Sequence, residues 1–367
     1  MAIPTRVLVH RRVDGWLLGG VGIVAWLLLT PSIGGDHSAV LTGWVAGAFL
    51  VVTSTHFGSS YHLAYGNGWS DVRRHPVALG LVPALGVLVG VVVFATYLSG
   101  AQALAAQMVR NLLILVFTLT GWHYVKQAFG VGMLSARSYG MKPTGREIKL
   151  WRYGLYPIWI YDLLRVYGVD RGASYRQINI AVPLVPQGGE SVLRWFAVAC
   201  LIAVAASMIR VAHQARTLPP MGLWGAYLTG ALWFLLPPAY LASAVVLPGI
   251  HAVQYLACVH RAEIDWAVER KEPQVRTLWL SLFGGAAAGG LLASTWLPSM
   301  IDGSFTTPAL PGLFGSLLFV YLNLHHYAID ATIWRSSGEH VKRISKGPAV
   351  VDVPRPAATP VAQPALV

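Results

Sequence analysis

Apolar blocks of roughly 20 residues recur along most of the chain, and they constrain its fold more than any other feature. A helix of about that length crosses the hydrocarbon core of a bilayer, which is about 30 Å thick. Backbone groups in that core must be hydrogen bonded internally, so such blocks fold as helices. The block lengths predict ten spans, at about 15–33, 39–63, 77–98, 111–130, 148–168, 191–211, 222–237, 240–260, 277–298 and 311–334.

The low charge content favours lipid over water as the surrounding solvent. Only 11% of the residues are charged and 55% are hydrophobic, whereas a soluble domain carries about 25% charged residues. A soluble enzyme this apolar would have to bury almost every residue. The sequence therefore predicts an all-α fold, a polytopic integral membrane helical bundle with about ten transmembrane helices. Block 148–168 is rich in aromatic residues, and an interfacial location is its alternative.

The basic residues lie mainly between the apolar blocks, where they predict orientation. The net charge is +12, but no nucleic-acid-binding signature accompanies it, so we expect no nucleic-acid partner. With a cytoplasmic N-terminus, most of the basic residues fall on the cytoplasmic side, and both termini are cytoplasmic. We expect a cytoplasmic N-terminal segment (1–14) without a cleavable signal peptide, a transmembrane helical domain (15–335) and a cytoplasmic, disordered Pro/Ala-rich tail (336–367). The expected location is a bacterial-type inner membrane, crossed many times.

Seven of the twelve histidines fall in four of the ten blocks, in the halves nearer the cytoplasm. Imidazole inside a membrane usually faces the bundle interior and has a function, and it is the commonest metal ligand. The alternative for any single histidine is a hydrogen-bonded packing role. No helix supplies an i, i+4 histidine pair, so a metal needs about one histidine per helix, or two sites at different depths. The candidate metal ligands are His56, His62, His123, His251, His260, His325 and His326.

Three further side chains are candidates for catalytic roles beside these histidines. Asp330 follows His326 by four residues and therefore shares its helix face. Its carboxylate can fix the tautomer of a ligating imidazole, or it can pair with Lys126 or Arg335. Tyr255 follows His251 by four residues, and Tyr124 follows His123 directly. Such aromatic residues are expected to line a channel for a long unsaturated substrate, or to form an interfacial belt.

Three segments of the chain together resemble a known family. They are the motif His56-Phe57-Gly58, the run from Tyr255 to Arg261, which ends in His-Arg, and the run from His325 to Arg335. In this order they are similar to the bacterial carotene-cleaving membrane dioxygenases of the Brp/Blh type. The resemblance implies a helical membrane enzyme that holds one Fe(II) ion through His56, His260 and His325. Ile264 stands where that family has a further histidine, and its early His-Gly motif is absent.

Membrane desaturases and hydroxylases provide a weaker likeness. Their histidine boxes have the forms H-x3-4-H and H-x2-H-H, and His325-His326 matches only the end of the second form. The shared feature is a histidine cluster at the cytoplasmic side of a helical bundle.

The residues leave several functions open. The leading hypothesis is an oxidoreductase in which histidine-bound Fe(II), as one or two ions, activates O2 on a carotenoid, isoprenoid or acyl substrate. A second is a haem b protein with axial ligands such as His251 and His325. A third is a proton-coupled transporter with a relay of His123, Lys126 and Asp330. A fourth is a structural membrane protein whose histidines only pack.

Overall fold

A computed structural model describes residues 8–10, 13–30, 38–167, 174–175, 178–181, 189–237, 240–269, 275–305, 312–335 and 338–346. The chain is almost wholly helical in these ranges. In chain order the helices are α1 (Trp16–Leu29), α2 (Ser38–Tyr65), α3 (Trp69–Arg74), α4 (Val77–Leu98), α5 (Gln102–Ser138), α6 (Gly145–Tyr153), α7 (Tyr156–Tyr167), α8 (Gly189–Gln214), α9 (Met221–Leu235), α10 (Tyr240–Glu269), α11 (Val275–Leu291), α12 (Leu297–Phe305), α13 (Leu313–Ile333) and α14 (Glu339–Lys346).

Several of the apolar blocks coincide with helices, as 77–98 does with α4 and 191–211 does with part of α8. A π-helical turn, Leu292–Trp296, joins α11 to α12. Between α7 and α8 lies a small hairpin in which strand β1 (Ser174–Tyr175) pairs antiparallel with strand β2 (Ile178–Asn179). This hairpin is the only sheet in the described part of the chain.

Three described helices are long and apolar enough to cross a membrane: α4, α5 and α8. Helices α4 and α8 expose large apolar side chains, including Leu85, Val91, Trp195 and Ile202. An extended apolar surface of this kind is compatible with lipid contact. The membrane character is therefore supported, whereas the count of ten spans is not.

The fifth apolar block, 148–168, was predicted as one continuous span, but the structure divides it into two helices. It is divided between α6 and α7, with a break at Gly154–Leu155. Helix α6 begins with a capping box, in which Thr144 accepts a hydrogen bond from the Glu147 backbone N–H and the Glu147 carboxylate accepts one from the Thr144 N–H. This cap fixes the start of a short helix whose first turn is polar.

The expected disordered tail also differs in part, since α14 occupies its beginning. Ile344 of α14 is buried against the cluster that contains Trp151, Leu223 and Phe234. Residues 347–367 lie outside the described residues.

Four helices, α2, α5, α10 and α13, carry the candidate histidines. Helix α2 packs against α10, α11 and α13, while α13 also packs against α5. Helices α2 and α11 approach closely at Gly58, where an added Cβ would lie 2.5 Å from the carbonyl oxygen of Ala286. Gly121 of α5 likewise faces Trp159, where an added Cβ would lie 2.6 Å from the indole ring.

Candidate metal centre

Four histidines, one from each of α2, α5, α10 and α13, point their Nε2 atoms toward one another. The Nε2 atoms of His56 and His326 are 3.0 Å apart, and those of His123 and His251 are 3.2 Å apart. The ring centroids of His56 and His251 are 4.9 Å apart, which brings the two pairs together. All four side chains are buried, with exposed fractions between 1% and 6%.

Asp330 adds a carboxylate to this cluster. Its Oδ2 atom lies 3.4 Å from the Nε2 atoms of both His123 and His326. Ligand atoms from His123, His251, His326 and Asp330 all lie within 4.8 Å of one another. His326 and Asp330 are four residues apart on α13, so the helix itself places both on one face. We call His56, His123, His251, His326 and Asp330 the metal cluster; the last four form the mutually close donor set, and His56 joins them through its Nε2 contact with His326.

The spacing of these donor atoms fits a metal ion at their centre. With metal–nitrogen bonds of about 2.0–2.1 Å, neighbouring donors are about 3.3 Å apart in a tetrahedron and about 2.9 Å apart in an octahedron. Four of the donor separations, at 3.0–3.4 Å, are close to these values, and the donor atoms of His123, His251, His326 and Asp330 all lie within 4.8 Å of one another. Four neutral imidazoles and one carboxylate carry a charge of −1, which a divalent cation would more than neutralise. The cluster can therefore hold a metal ion.

The surrounding helices are tied to each other next to the cluster. Gln127 of α5 donates a hydrogen bond to the backbone carbonyl of His251 at 2.8 Å and another to Gln254 at 3.0 Å. Gln254 in turn donates to the Leu18 carbonyl of α1. These amides fix the position of α10 against α5 and α1, and with it the depth of His251.

Aromatic rings pack around the histidines. The ring centroids of Tyr255 and His56 are 4.1 Å apart, and those of Tyr124 and His251 are 4.8 Å apart. Tyr327, which the sequence did not single out as a site residue, lies 4.6 Å from the His123 ring. Its hydroxyl is hydrogen bonded to Thr120 and donates to Asn323. The rings restrict the imidazole orientations and exclude water from them.

His325 does not join the metal cluster, although it precedes His326. Its Nδ1 atom is hydrogen bonded to the Tyr61 hydroxyl at 2.9 Å, and its Nε2 atom to the Tyr65 hydroxyl at 3.1 Å. Adjacent residues on a helix point about 100° apart, so only one of the two histidines can face the cluster. Both ring nitrogens of His325 are hydrogen bonded to tyrosines, so His325 lies outside the metal cluster.

His62 and His260 also lie apart from the cluster. His62 is exposed, and its Nε2 atom is 3.7 Å from the carboxylate of Glu263. His260 is partly buried near Arg261 and Asp14. Six residues separate His62 from His56, and nine separate His260 from His251, so neither can share the inward face of its helix. Of the ligands implied by the family resemblance, only His56 lies in the cluster.

The Asp330 carboxylate lies beside the imidazole nitrogens of the metal cluster. We expected it to accept the free N–H of an imidazole or to pair with Lys126 or Arg335. Its Oδ2 atom faces the Nε2 atoms of His123 and His326. These are the same atoms that face His251 and His56. Among the described residues Asp330 forms no salt bridge with either cation.

A cavity of about 740 Å³ adjoins the metal cluster, with His123 and Asp330 in its wall. Apolar side chains, among them Phe129, Leu134 and Ile148, form part of the wall. Lys126, Arg137, Arg152 and Arg335 also line it. The volume is typical of a small-molecule site.

Sequence reasoning did not identify Tyr65 or Gln254. Tyr61 and Tyr65 are four residues apart and therefore share a helix face, which is the signal that could have shown a shared partner. Gln254 has no such signal, because its partners lie on other helices. Comparison of the chain with protein-family models, with characterised proteins and with solved structures finds no match.

Proposed function

We propose that this protein is a membrane-embedded oxidoreductase that uses a histidine-ligated non-haem iron ion to activate O2 on a lipophilic substrate. One observation carries the proposal: three imidazole nitrogens and one carboxylate oxygen, from three helices, lie within 4.8 Å of one another in a buried site. Nitrogen and oxygen donors of this kind suit iron, which would supply O2-activating chemistry there when bound.

Each residue of the site has a role in this proposal. His123, His251 and His326 would hold the ion together with Asp330, whose carboxylate would offset part of its charge, and His56 would position His326 through their Nε2 contact. Tyr255 and Tyr124 hold the imidazole rings in place and keep water from the centre. Bound iron would supply the redox chemistry that activates O2. The cavity beside His123 places the substrate against the metal cluster.

The reaction class that needs the fewest additional components is dioxygenase cleavage of a carbon–carbon double bond. One C=C bond and the O=O bond break, two C=O bonds form, and both oxygen atoms remain in the two carbonyl products. The reaction balances with O2 alone, so no outside reductant is required. Carotenoid, isoprenoid and unsaturated acyl chains all offer such a bond and fit a cavity with apolar walls. The resemblance to the Brp/Blh-type dioxygenases supports the same reaction.

The geometry of the cluster favours a non-haem ion over haem b. Two axial histidines lie on opposite faces of a porphyrin, with donor nitrogens about 4 Å apart and the ring between them. Here the facing nitrogens are 3.0 and 3.2 Å apart, and further donors lie beside them. His325, one of the expected axial ligands, is bonded to two tyrosines instead.

We further propose that the chain spans a bacterial-type inner membrane about ten times, with both termini in the cytoplasm. The distribution of basic residues supports this topology. Exposed apolar residues on α4 and α8 support contact with lipid.

Proton-coupled transport is the second candidate. His123, Lys126 and Asp330 all line the same cavity, an arrangement that a proton relay would use. Transport would continue in metal-free protein and would be lost in Asp330→Asn. An oxygenase requires the metal for every turnover.

The test of the proposed function starts from protein purified in detergent without oxygen. We expect about one iron per chain by element analysis. On addition of a polyene, we expect O2 uptake and 18O from labelled O2 in both carbonyl products. His123→Ala should lose iron and turnover, whereas His213→Ala, which removes an exposed histidine of α8, should keep both. Wild-type protein that takes up no iron, or His123→Ala protein that keeps full turnover, would refute the proposal.

A further inference from the structure

The cavity follows one face of α5 away from the metal cluster. His123, Lys126, Gly130, Leu134 and Arg137 line it in succession, at intervals of three or four residues that keep them on one helix face. At 1.5 Å per residue, this stripe extends about 21 Å from His123 to Arg137. The cavity is therefore elongated, with the metal cluster toward one end.

Three arginines also line the cavity. Arg137 comes from the C-terminal end of α5, Arg152 from α6 and Arg335 from just beyond α13, and all three are exposed. We call them the arginine mouth. They belong to three separate segments of the chain, so one helix end with several basic residues does not explain why all three line one cavity.

The arginine mouth carries positive charge that the described protein does not neutralise. Some arginines elsewhere in the described chain pair with carboxylates, as Arg165 does with Asp162 and Arg261 with Asp265. None of the three mouth arginines has a carboxylate of the described residues within 4.0 Å of its charged nitrogens. The one acidic residue in the cavity wall is Asp330, which belongs to the metal cluster.

The positive-inside rule accounts for basic residues at the cytoplasmic ends of helices. It does not account for three guanidinium groups that line one cavity leading to a metal site. Guanidinium groups recognise carboxylate and phosphate oxygens through paired hydrogen bonds. The wall also contains Phe129, Leu134 and Ile148, which fit an apolar chain, and Lys126, a fourth cation about one helical turn from His123.

We propose that the cavity binds an amphipathic oxyanion, with its carboxylate or phosphate head at the arginine mouth and its apolar chain directed toward the metal cluster. This inference rests on the proposed function for the chemistry at the cluster, but the binding itself does not require turnover. It narrows the substrate from lipophilic molecules in general to those with an anionic head. The bond that reacts then lies far from that head.

The test measures binding without oxygen, in lipid nanodiscs that contain the full chain. The probe is an 18-carbon fatty acid with a photoreactive diazirine in its chain. Competitors are oleate, oleoyl lysophosphatidate and the neutral oleyl alcohol. We expect an oxyanion to compete at least tenfold better than the alcohol, and the cross-link to map to α5 or α6. Oleate and lysophosphatidate distinguish a free carboxylate from a phosphate head.

The variants Arg137→Gln, Arg152→Gln and Arg335→Gln, separately and together, test the arginine mouth. Exposed ion pairs contribute modestly one at a time, so each single change should weaken oxyanion competition about twofold and the triple variant about tenfold. Competition by oleyl alcohol should stay unchanged, which also shows that the triple variant is folded. Arg73→Gln, an exposed arginine of α3 that does not line the cavity, is the matched control.

Equal competition by oleate, lysophosphatidate and oleyl alcohol would overturn the inference. So would an oxyanion preference that survives in the triple variant, because the head would then bind elsewhere. Protein that binds oleate by this criterion but holds no iron refutes the proposed function alone. Protein that holds iron and oxidises a neutral polyene without oxyanion preference refutes this inference alone.

Discussion

Two adjacent histidines on α13 provide a sharp test of the metal cluster. His326→Ala removes an Nε2 donor that lies 3.0 Å from the His56 nitrogen and 3.4 Å from the Asp330 carboxylate. His325→Ala removes a ring that is bonded only outside the cluster, to Tyr61 and Tyr65. The two variants delete the same group at neighbouring positions, so they differ mainly in which way the lost ring faces.

The expected difference in metal affinity is large. Loss of a group that only supports a metal ligand weakens binding about 10–100-fold. Loss of a ligand itself should exceed the upper end of that range, which corresponds to about 2.7 kcal/mol. His325→Ala leaves two tyrosine hydroxyls without a partner ring, although Tyr65 keeps its bond to the Leu79 carbonyl. It should cost about 1–3 kcal/mol of stability but change metal affinity less than threefold.

The assay is anaerobic titration of detergent-purified protein with Fe(II) against a competing chelator, together with thermal unfolding with and without metal. Wild type and His325→Ala should bind about one ion and unfold at a higher temperature when it is present. His326→Ala should lose both effects. Equal affinity in the two variants would refute the proposed ligand set, and so would greater loss in His325→Ala.

Three further predictions test the surroundings of the site. Gly58→Ala forces a Cβ against the Ala286 backbone, so it should destabilise the protein by about 1–3 kcal/mol and weaken metal binding. Gly47→Ala on the same helix is the control, because its Cβ meets no atom within 4 Å. Thermal unfolding should show that the control is neutral or stabilising. Tyr61→Phe removes the partner of the His325 Nδ1 atom and should cost about 1–3 kcal/mol with unchanged iron content by element analysis. Burial alone would raise the pKa of Glu147, but hydrogen bonds from Thr144 and the charge of Arg210 outweigh it and lower that pKa below 4.5. The stabilisation from this carboxylate is therefore complete above the usual pKa of a glutamate and is lost as the pH falls through the lowered pKa. At neutral pH the unfolding free energies of wild type and Glu147→Gln should differ by about 0.5–1 kcal/mol. Their unfolding temperatures should converge in acid.

The sequence predicted the helices well where apolar length decides the outcome. The block at 77–98 coincides with α4, and 191–211 lies within α8. It predicted one span where α6 and α7 form, because block length does not show that Thr144 and Glu147 cap a short helix. The tail was expected to be disordered from composition, yet Ile344 is buried against other helices. Such packing depends on partners that are distant in the chain.

The candidate site was predicted in its residue types but not in its membership. Spacing showed that His325 and His326 diverge, and that Asp330 shares the face of His326, and both predictions are confirmed. Spacing does not fix the rotation of α13 about its axis, so it could not show which histidine faces inward. That rotation follows from packing against α2 and α5, where Tyr61 and Tyr65 engage His325 and leave His326 to the cluster.

The double attachment of His325 has a mechanical consequence. Helix α2 holds α13 through His325 on one side and meets it again at the His56–His326 pair, so these two helices are expected to move as one body. The described wall residues of the cavity come from α5, α6, α10, α14 and the C-terminal end of α13. Helices α6 and α14 contribute to the wall but supply no donor to the metal cluster, so any opening that admits a bulky substrate is expected to involve these two helices.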